Sequence, residues 1–150
     1  MNHPAVGDTV PPFARRTSFD NWNRFAAVND EFIPIHMDDE AGRRAGNPDG
    51  AFGMGNLRLS YLMNMLRDWC DDDGEVRVIE VHFRELNQKY DVLTAVGEVT
   101  AVEECQNELR VELSVDVVNQ RGLSTAPGRA TVVFPLSRRP TPNSPPGPSA

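Results

Sequence analysis

Gly53-Met54-Gly55-Asn56-Leu57-Arg58-Leu59-Ser60-Tyr61-Leu62-Met63-Asn64-Met65-Leu66-Arg67-Asp68-Trp69 carries the most apolar helical pattern in the chain. From Gly55 onward, Leu57, Leu59, Leu62, Met63, Leu66 and Trp69 spread over a broad face, and only Arg58, Arg67 and Asp68 are charged. An apolar surface this wide predicts a helix buried along most of its length. Cys70-Asp71-Asp72-Asp73-Gly74 closes it with a solvated turn.

After Gly74 the hydrophobic period changes from that of a helix to that of a strand. Val76, Val78, Val81 and Phe83 alternate with a slip at Ile79, which predicts a strand carrying a bulge. Val92 to Val102 reads as a second strand. Leu109, Val111, Leu113, Val115 and Val117 form a third, alternating with Arg110, Glu112, Ser114 and Asp116, so that one face is buried and the other wet. Ala130 to Leu136 makes a fourth. Gln106-Asn107 and Asn119-Gln120-Arg121-Gly122 supply the hairpin turns. A meander with one apolar face, next to a helix apolar enough to lie on it, predicts an α+β domain whose antiparallel sheet curls around the helix.

Upstream of the helix, Pro4, Pro11 and Pro12 surround an edge strand or extended arm within residues 1–16. Ser18 caps a helix whose Phe19, Trp22, Phe25, Ala26 and Asn29 recur at helical spacing. It ends near Asn29, because Pro34 and the cluster around it break the register. Asp38-Asp39-Glu40 opens a second short helix reaching about Ala45, where acidic residues suit the helix dipole. Gly46-Asn47-Pro48-Asp49-Gly50 is turn chemistry. From Ser137 onward, five prolines in fourteen residues predict a solvated, disordered tail over 137–150 behind one domain over 1–136.

At 150 residues, 39% hydrophobic and 25% charged, the composition is that of one soluble globular domain. A net charge of −7 argues against nucleic acid, which needs a concentrated basic face. Neither an apolar leader nor a membrane-length apolar run occurs, which predicts a cytoplasmic protein whose two cysteines, Cys70 and Cys105, are buried or partly buried free thiols.

Chemistry concentrates in Glu31-Phe32-Ile33-Pro34-Ile35-His36, a proline-containing loop with a carboxylate and a histidine five positions apart. A lone histidine is more often structural. Glu31 nearby, the stiffening Pro34 and the flanking helices bring an acid/base role level with the structural one, and a histidine has a suitable proton affinity for it at neutral pH. Asp38-Asp39-Glu40 beside His36 is better read as a helix start than as metal ligands. Gly50-Ala51-Phe52-Gly53-Met54-Gly55 lacks the endings of a phosphate loop or dinucleotide fingerprint. Its glycines either let backbone N–H groups approach a developing oxyanion or simply satisfy a turn. Arg43, Arg44, Arg84, Lys89 and Arg129 are candidate phosphate contacts, and Ser60 is at most a helper donor.

These residues resemble the MaoC-like dehydratases, or (R)-specific enoyl-CoA hydratases, of the hot-dog fold. That family carries an Asp-Phe-Asn-Pro-Ile/Leu-His loop, a short acidic helix and an Ala-His-Gly-Met turn. Here the corresponding stretches are Glu31 to His36, Met37-Asp38 and Ala51-Phe52-Gly53-Met54. Phe83-Arg84-Glu85-Leu86 through Tyr90-Asp91-Val92-Leu93 is similar to the family's Phe-x-x-Pro to Gly-Asp-x-Leu stretch. Arg67-Asp68-Trp69, Tyr90-Asp91 and Gly97 to Val102 resemble in particular the single-domain subunit of steroid side-chain enoyl-CoA hydratases, which pairs with a second MaoC-like chain. Three positions differ: Glu31 stands for the family's aspartate, Ile33 for its asparagine and Phe52 for its histidine. Asp30 is the second candidate carboxylate.

The resemblance implies reversible addition of water across the 2,3 double bond of an enoyl-CoA. Glu31 and His36 would hold and deprotonate the water and supply the α-proton, and the Gly53 N–H would stabilise the thioester oxygen. It implies no metal and no cofactor beyond the coenzyme A of the substrate, with the acyl chain along the central helix. A homodimer or a heteromer with a second MaoC-like chain follows as the assembly. The alternatives are a non-catalytic or half-site subunit, or a hot-dog acyl-CoA thioesterase.

Overall fold

A computed structural model describes residues 4–136; the proline-rich segment 137–150 lies outside the described residues. Strand β1 (Thr9–Arg16) leads into α1 (Phe19–Asn29), α2 (Pro34–Met37) and α3 (Asp39–Arg44). Next come the two-residue β2 (Phe52–Gly53) and the long α4 (Gly55–Cys70). A 3-10 turn (Asp71–Asp73) leads to β3 (Glu75–Val81), β4 (Asn87–Gln88), β5 (Val92–Cys105), β6 (Glu108–Val118) and β7 (Gly128–Pro135).

The main sheet has the order β1-β5-β6-β7-β3, antiparallel throughout, and β2 pairs with β4 in a separate two-stranded piece. Only β5-β6-β7 form the expected meander. β3 pairs with β7 at the far edge, because α4 crosses the sheet before β3 begins and segment 82–91 must carry the chain back to β5. The bulge falls between Val76 and Val78 rather than at Ile79, and Phe83 lies beyond the strand, 46% exposed. On the opposite edge, β1 slips register between Val10 and Phe13, where Pro11 and Pro12 have no N–H to give.

α4 turns Leu57, Arg58, Tyr61, Leu62, Met65, Leu66 and Cys70 inward. Leu59 and Met63 are only half-buried, contrary to the sequence reading. The helix is apolar on more than one side, so periodicity could not choose its inner face; the sheet does. Its partners are Leu93, Ala95 and Val99 of β5, alternate residues Leu109 to Val117 of β6, and Ala130 and Val132 of β7. Each large side chain buried here contributes roughly 1.5–3 kcal/mol. Gly97 lets β5 pass close under the helix, since a Cβ there would lie 3.1 Å from Met65 Cε. Cys70 is buried and Cys105 exposed, both as free thiols. Burial pushes the Cys70 thiol up to about 11. The exposure of Cys105 departs from expectation because it ends β5 at the hairpin tip, just before Gln106 at φ 55. No helix among the described residues is long and apolar enough to cross a membrane.

Candidate functional site

The segment between α1 and α3 is more ordered than a loop. Asp30 ends α1 in the left-handed region at φ 53, and the Glu31 N–H still bonds back to Ala26 O at 3.1 Å. Pro34 then takes the first position of α2, where its missing N–H costs nothing. That single turn carries His36 inward to 7% exposure. Glu31 is half-buried, while Asp30 is exposed. Among the described residues no hydrogen bond joins the Glu31 carboxylate to His36, whose side-chain partner is Phe52; the two share a segment.

His36 is oriented by Phe52. Its Nδ1 lies 2.6 Å from the Phe52 carbonyl oxygen, and the two rings meet edge-on at 5.4 Å. A carbonyl can only accept, so Nδ1 carries a proton, and in the neutral ring the lone pair then falls on Nε2. The geometry therefore leaves a base-competent nitrogen on the face of the ring away from Phe52.

Phe52 is held in turn by α3. Asp38 caps that helix by accepting from the Ala41 N–H at 2.7 Å. Asp39 accepts from the Ala51 N–H at 3.0 Å and from Lys89 Nζ at 2.7 Å. The Lys89 ammonium and the Ala51 N–H hold the Asp39 carboxyl below its ordinary range. Gly50, at φ +95, permits this approach; a Cβ there would stand 2.5 Å from Asp39 Oδ1. Asn47 donates to Gly50 O at 2.6 Å and exchanges hydrogen bonds with Gln88 at 2.9 and 3.0 Å, tying the turn to β4.

Gly53 follows, paired with Asn87 across the β2–β4 ladder. A Cβ on Gly53 would fall 2.2 Å from Asn87 Nδ2 and 2.6 Å from Trp22 Nε1, so only glycine fits. This close approach, rather than a positive φ, is why position 53 is glycine. The glycine-rich turn is thus both a tight packing element and the neighbour of the oriented histidine.

The acidic run is accounted for as a helix start: Asp38 caps, Asp39 pairs with Lys89, and Glu40 pairs with Arg44 at 2.5 Å. Of the candidate phosphate contacts, Arg44, Lys89 and Arg129 are engaged with Glu40, Asp39 and Glu80. Ser60 Oγ donates to Leu57 O at 2.6 Å within its own helix. Two contributions escaped the sequence reading. The Phe52 carbonyl orients His36, and the Asp39–Lys89 pair spans fifty residues with no local pattern to announce it.

No protein-family model matches the sequence, and a search of curated proteins found no relative. Solved structures do match. The (R)-hydratase from A. caviae involved in PHA biosynthesis superposes with a TM-score of 0.80 at 22% identity, covering 90% of this chain and 100% of that one. The ChsH1-ChsH2 complex from Mycobacterium tuberculosis gives 0.77 at 18% identity, over 88% and 99%. A MaoC-like dehydratase from Rhodospirillum rubrum gives 0.74 at 25% identity, over 91% and 95%. The five-stranded antiparallel sheet around α4 is accordingly the hot-dog fold of the MaoC-like dehydratases and (R)-hydratases.

Proposed function

We propose that this chain is a hydro-lyase that adds water reversibly across the 2,3 double bond of an enoyl-CoA thioester. The observation that carries the reading is the seating of His36: buried, with its Nδ1–H donated to the carbonyl of Phe52, the residue before Gly53, which makes Nε2 the candidate base. In the forward direction, Glu31 and His36 Nε2 hold a water and take one of its protons as its oxygen bonds to C3. The π electrons move toward the thioester oxygen, where the Gly53 N–H meets the growing charge. A proton delivered from the same pair to C2 completes the addition, so atoms and charge balance without a redox partner. A single oxyanion donor of this kind is worth ~3 kcal/mol in other enzymes.

Loss of enoyl-thioester absorbance on mixing purified protein with a trans-2-enoyl-CoA tests the reaction. Glu31→Gln and His36→Ala should each abolish it. Full rate in both variants would refute the site, and release of free thiol without hydration would support the thioesterase alternative instead.

A second reading draws on the surface beside Glu31. Phe32 is 61% and Ile33 43% exposed, an apolar pair flanking the proposed base. Together with the two-chain complex among the structural neighbours, this favours a subunit that works against a second MaoC-like chain or a second copy of itself. Inactivity of the chain alone, restored by such a partner, is the result that would distinguish it.

A further inference from the structure

Arg58, in the first turns of α4, is the one arginine classed as buried among the described residues, at 3% exposure. Its Nη1 is saturated, donating to Glu85 O at 2.6 Å and to Thr125 O at 2.8 Å. Its Nε has no partner, and no hydrogen bond leaves Nη2 among the described residues. The Arg44, Arg77, Arg110 and Arg129 guanidiniums lie against carboxylates, but Arg58 does not. Asp116 acts on it only from a distance and spends an oxygen on the Ala126 N–H at 3.1 Å. Burial consequently draws the Arg58 guanidinium down to about 10, with Asp116 opposing.

Tying two loops to a helix does not require a cation. A buried charge costs several kcal/mol unless paired, and two carbonyls can be bridged by a neutral amide. What an arginine adds is the planar Nε–Nη2 edge, which matches the two oxygens of a carboxylate. That edge is the unused part of this side chain. The Phe83 ring stacks against the guanidinium, its centroid 4.9 Å from Cζ, and stands 46% exposed on segment 82–91, between helix and solvent rather than within the core. The location is also telling. Arg58 follows Gly53 by five residues, and Glu85, which it grips, precedes by two the Asn87 that pairs with Gly53.

We propose that the Nε–Nη2 edge of Arg58 binds a carboxylate at the far end of the acyl group, so that the substrate is the half-thioester of a dicarboxylic acid. This rests on the hydratase reading for the thioester, though not for the carboxylate.

The two can be separated by titrating trans-2-enedioyl-CoA half-thioesters of four to eight carbons, and their methyl-terminated counterparts, into Glu31→Gln protein, which binds without turnover. At one chain length the carboxylate form should bind at least about tenfold tighter. Adding Arg58→Met should remove the preference. Arg58→Lys, which keeps the charge and loses the fork, should retain only part of it. Phe83→Ala, in case the Arg58 variants fail to fold, should strengthen binding of the carboxylate form alone. A preference seen without hydration by the wild-type chain would uphold the carboxylate site and sink the hydratase reading. Equal binding of both series at every length overturns the proposal, whatever the hydration rate. Adipate alone binding as tightly as the best half-thioester overturns the substrate assignment, since the edge would then serve a free acid.

Discussion

What His36 can offer the proposed reaction depends on what its other nitrogen does. The Phe52 carbonyl accepts the Nδ1–H at 2.6 Å, so in the neutral ring the lone pair sits on Nε2. Removing the imidazole as His36→Ala should lower kcat/KM by about 10²–10⁴, the usual reach of a positioned acid/base group. Nitrogen-15 spectra should show the proton on Nδ1 in the wild type; a proton on Nε2 would remove the proposed base. Gly53 is constrained differently. A methyl there would meet Asn87 Nδ2 at 2.2 Å and Trp22 Nε1 at 2.6 Å, both sealed in the core. Gly53→Ala should cost roughly 1–3 kcal/mol in a denaturant titration as an overpacking change. Its activity loss should exceed what that instability explains, because β2 must shift. The residues of this site were legible in the sequence as types and spacings. Their orientation was not, since the group that turns the ring is a backbone carbonyl sixteen residues away, and backbone carbonyls have no sequence signature.

α3, the turn before β2 and β4 behave as one unit, clamped by Asp39. Its carboxyl accepts from Lys89 on one side and from the Ala51 N–H on the other, one residue before the carbonyl that holds His36. The folded pKa of Asp39 lies below the ordinary 3.8, chiefly through the Lys89 hydrogen bond. The stability this supplies is therefore present above the unfolded pKa and lost as pH falls through the lower folded value. Melting temperature should hold on descending to about pH 4 and fall below it. Lys89→Met should flatten that acid limb, and a variant with the wild-type slope would show that the pair contributes nothing there. α4 depends on packing instead. Leu62 is fully buried against the sheet, so Leu62→Ala should cost roughly 2–5 kcal/mol in urea unfolding. The start of α3 was readable from Asp38-Asp39-Glu40 and the extent of α4 from its apolar run. The inner face of α4 was not, because Leu59 and Met63 widen its apolar surface beyond the side that the sheet covers.

One sheet wraps one helix, and the two cysteines report on that closure from opposite sides. Cys70 is buried at the end of α4 with its thiol pushed up to about 11, whereas Cys105 is exposed at a hairpin tip. A thiol reagent should modify one cysteine of the native protein promptly and the second only on unfolding; two fast thiols would contradict the packing around the end of α4. Much of this architecture is local in origin. Period-two alternation in β6, paired prolines on an edge strand, a capping serine and an apolar run of helix length are all short-range consequences of side-chain chemistry, and they specify which elements form and in what order. The position of β3 beside β7, the buried and half-unsatisfied Arg58, and the chain of contacts from Lys89 through Asp39 and Ala51 to the Phe52 carbonyl join residues far apart in sequence. Those contacts exist only once loop closure has been overcome by burial of the common core, which is why spacing and residue type named the candidate groups while the tertiary structure alone oriented them.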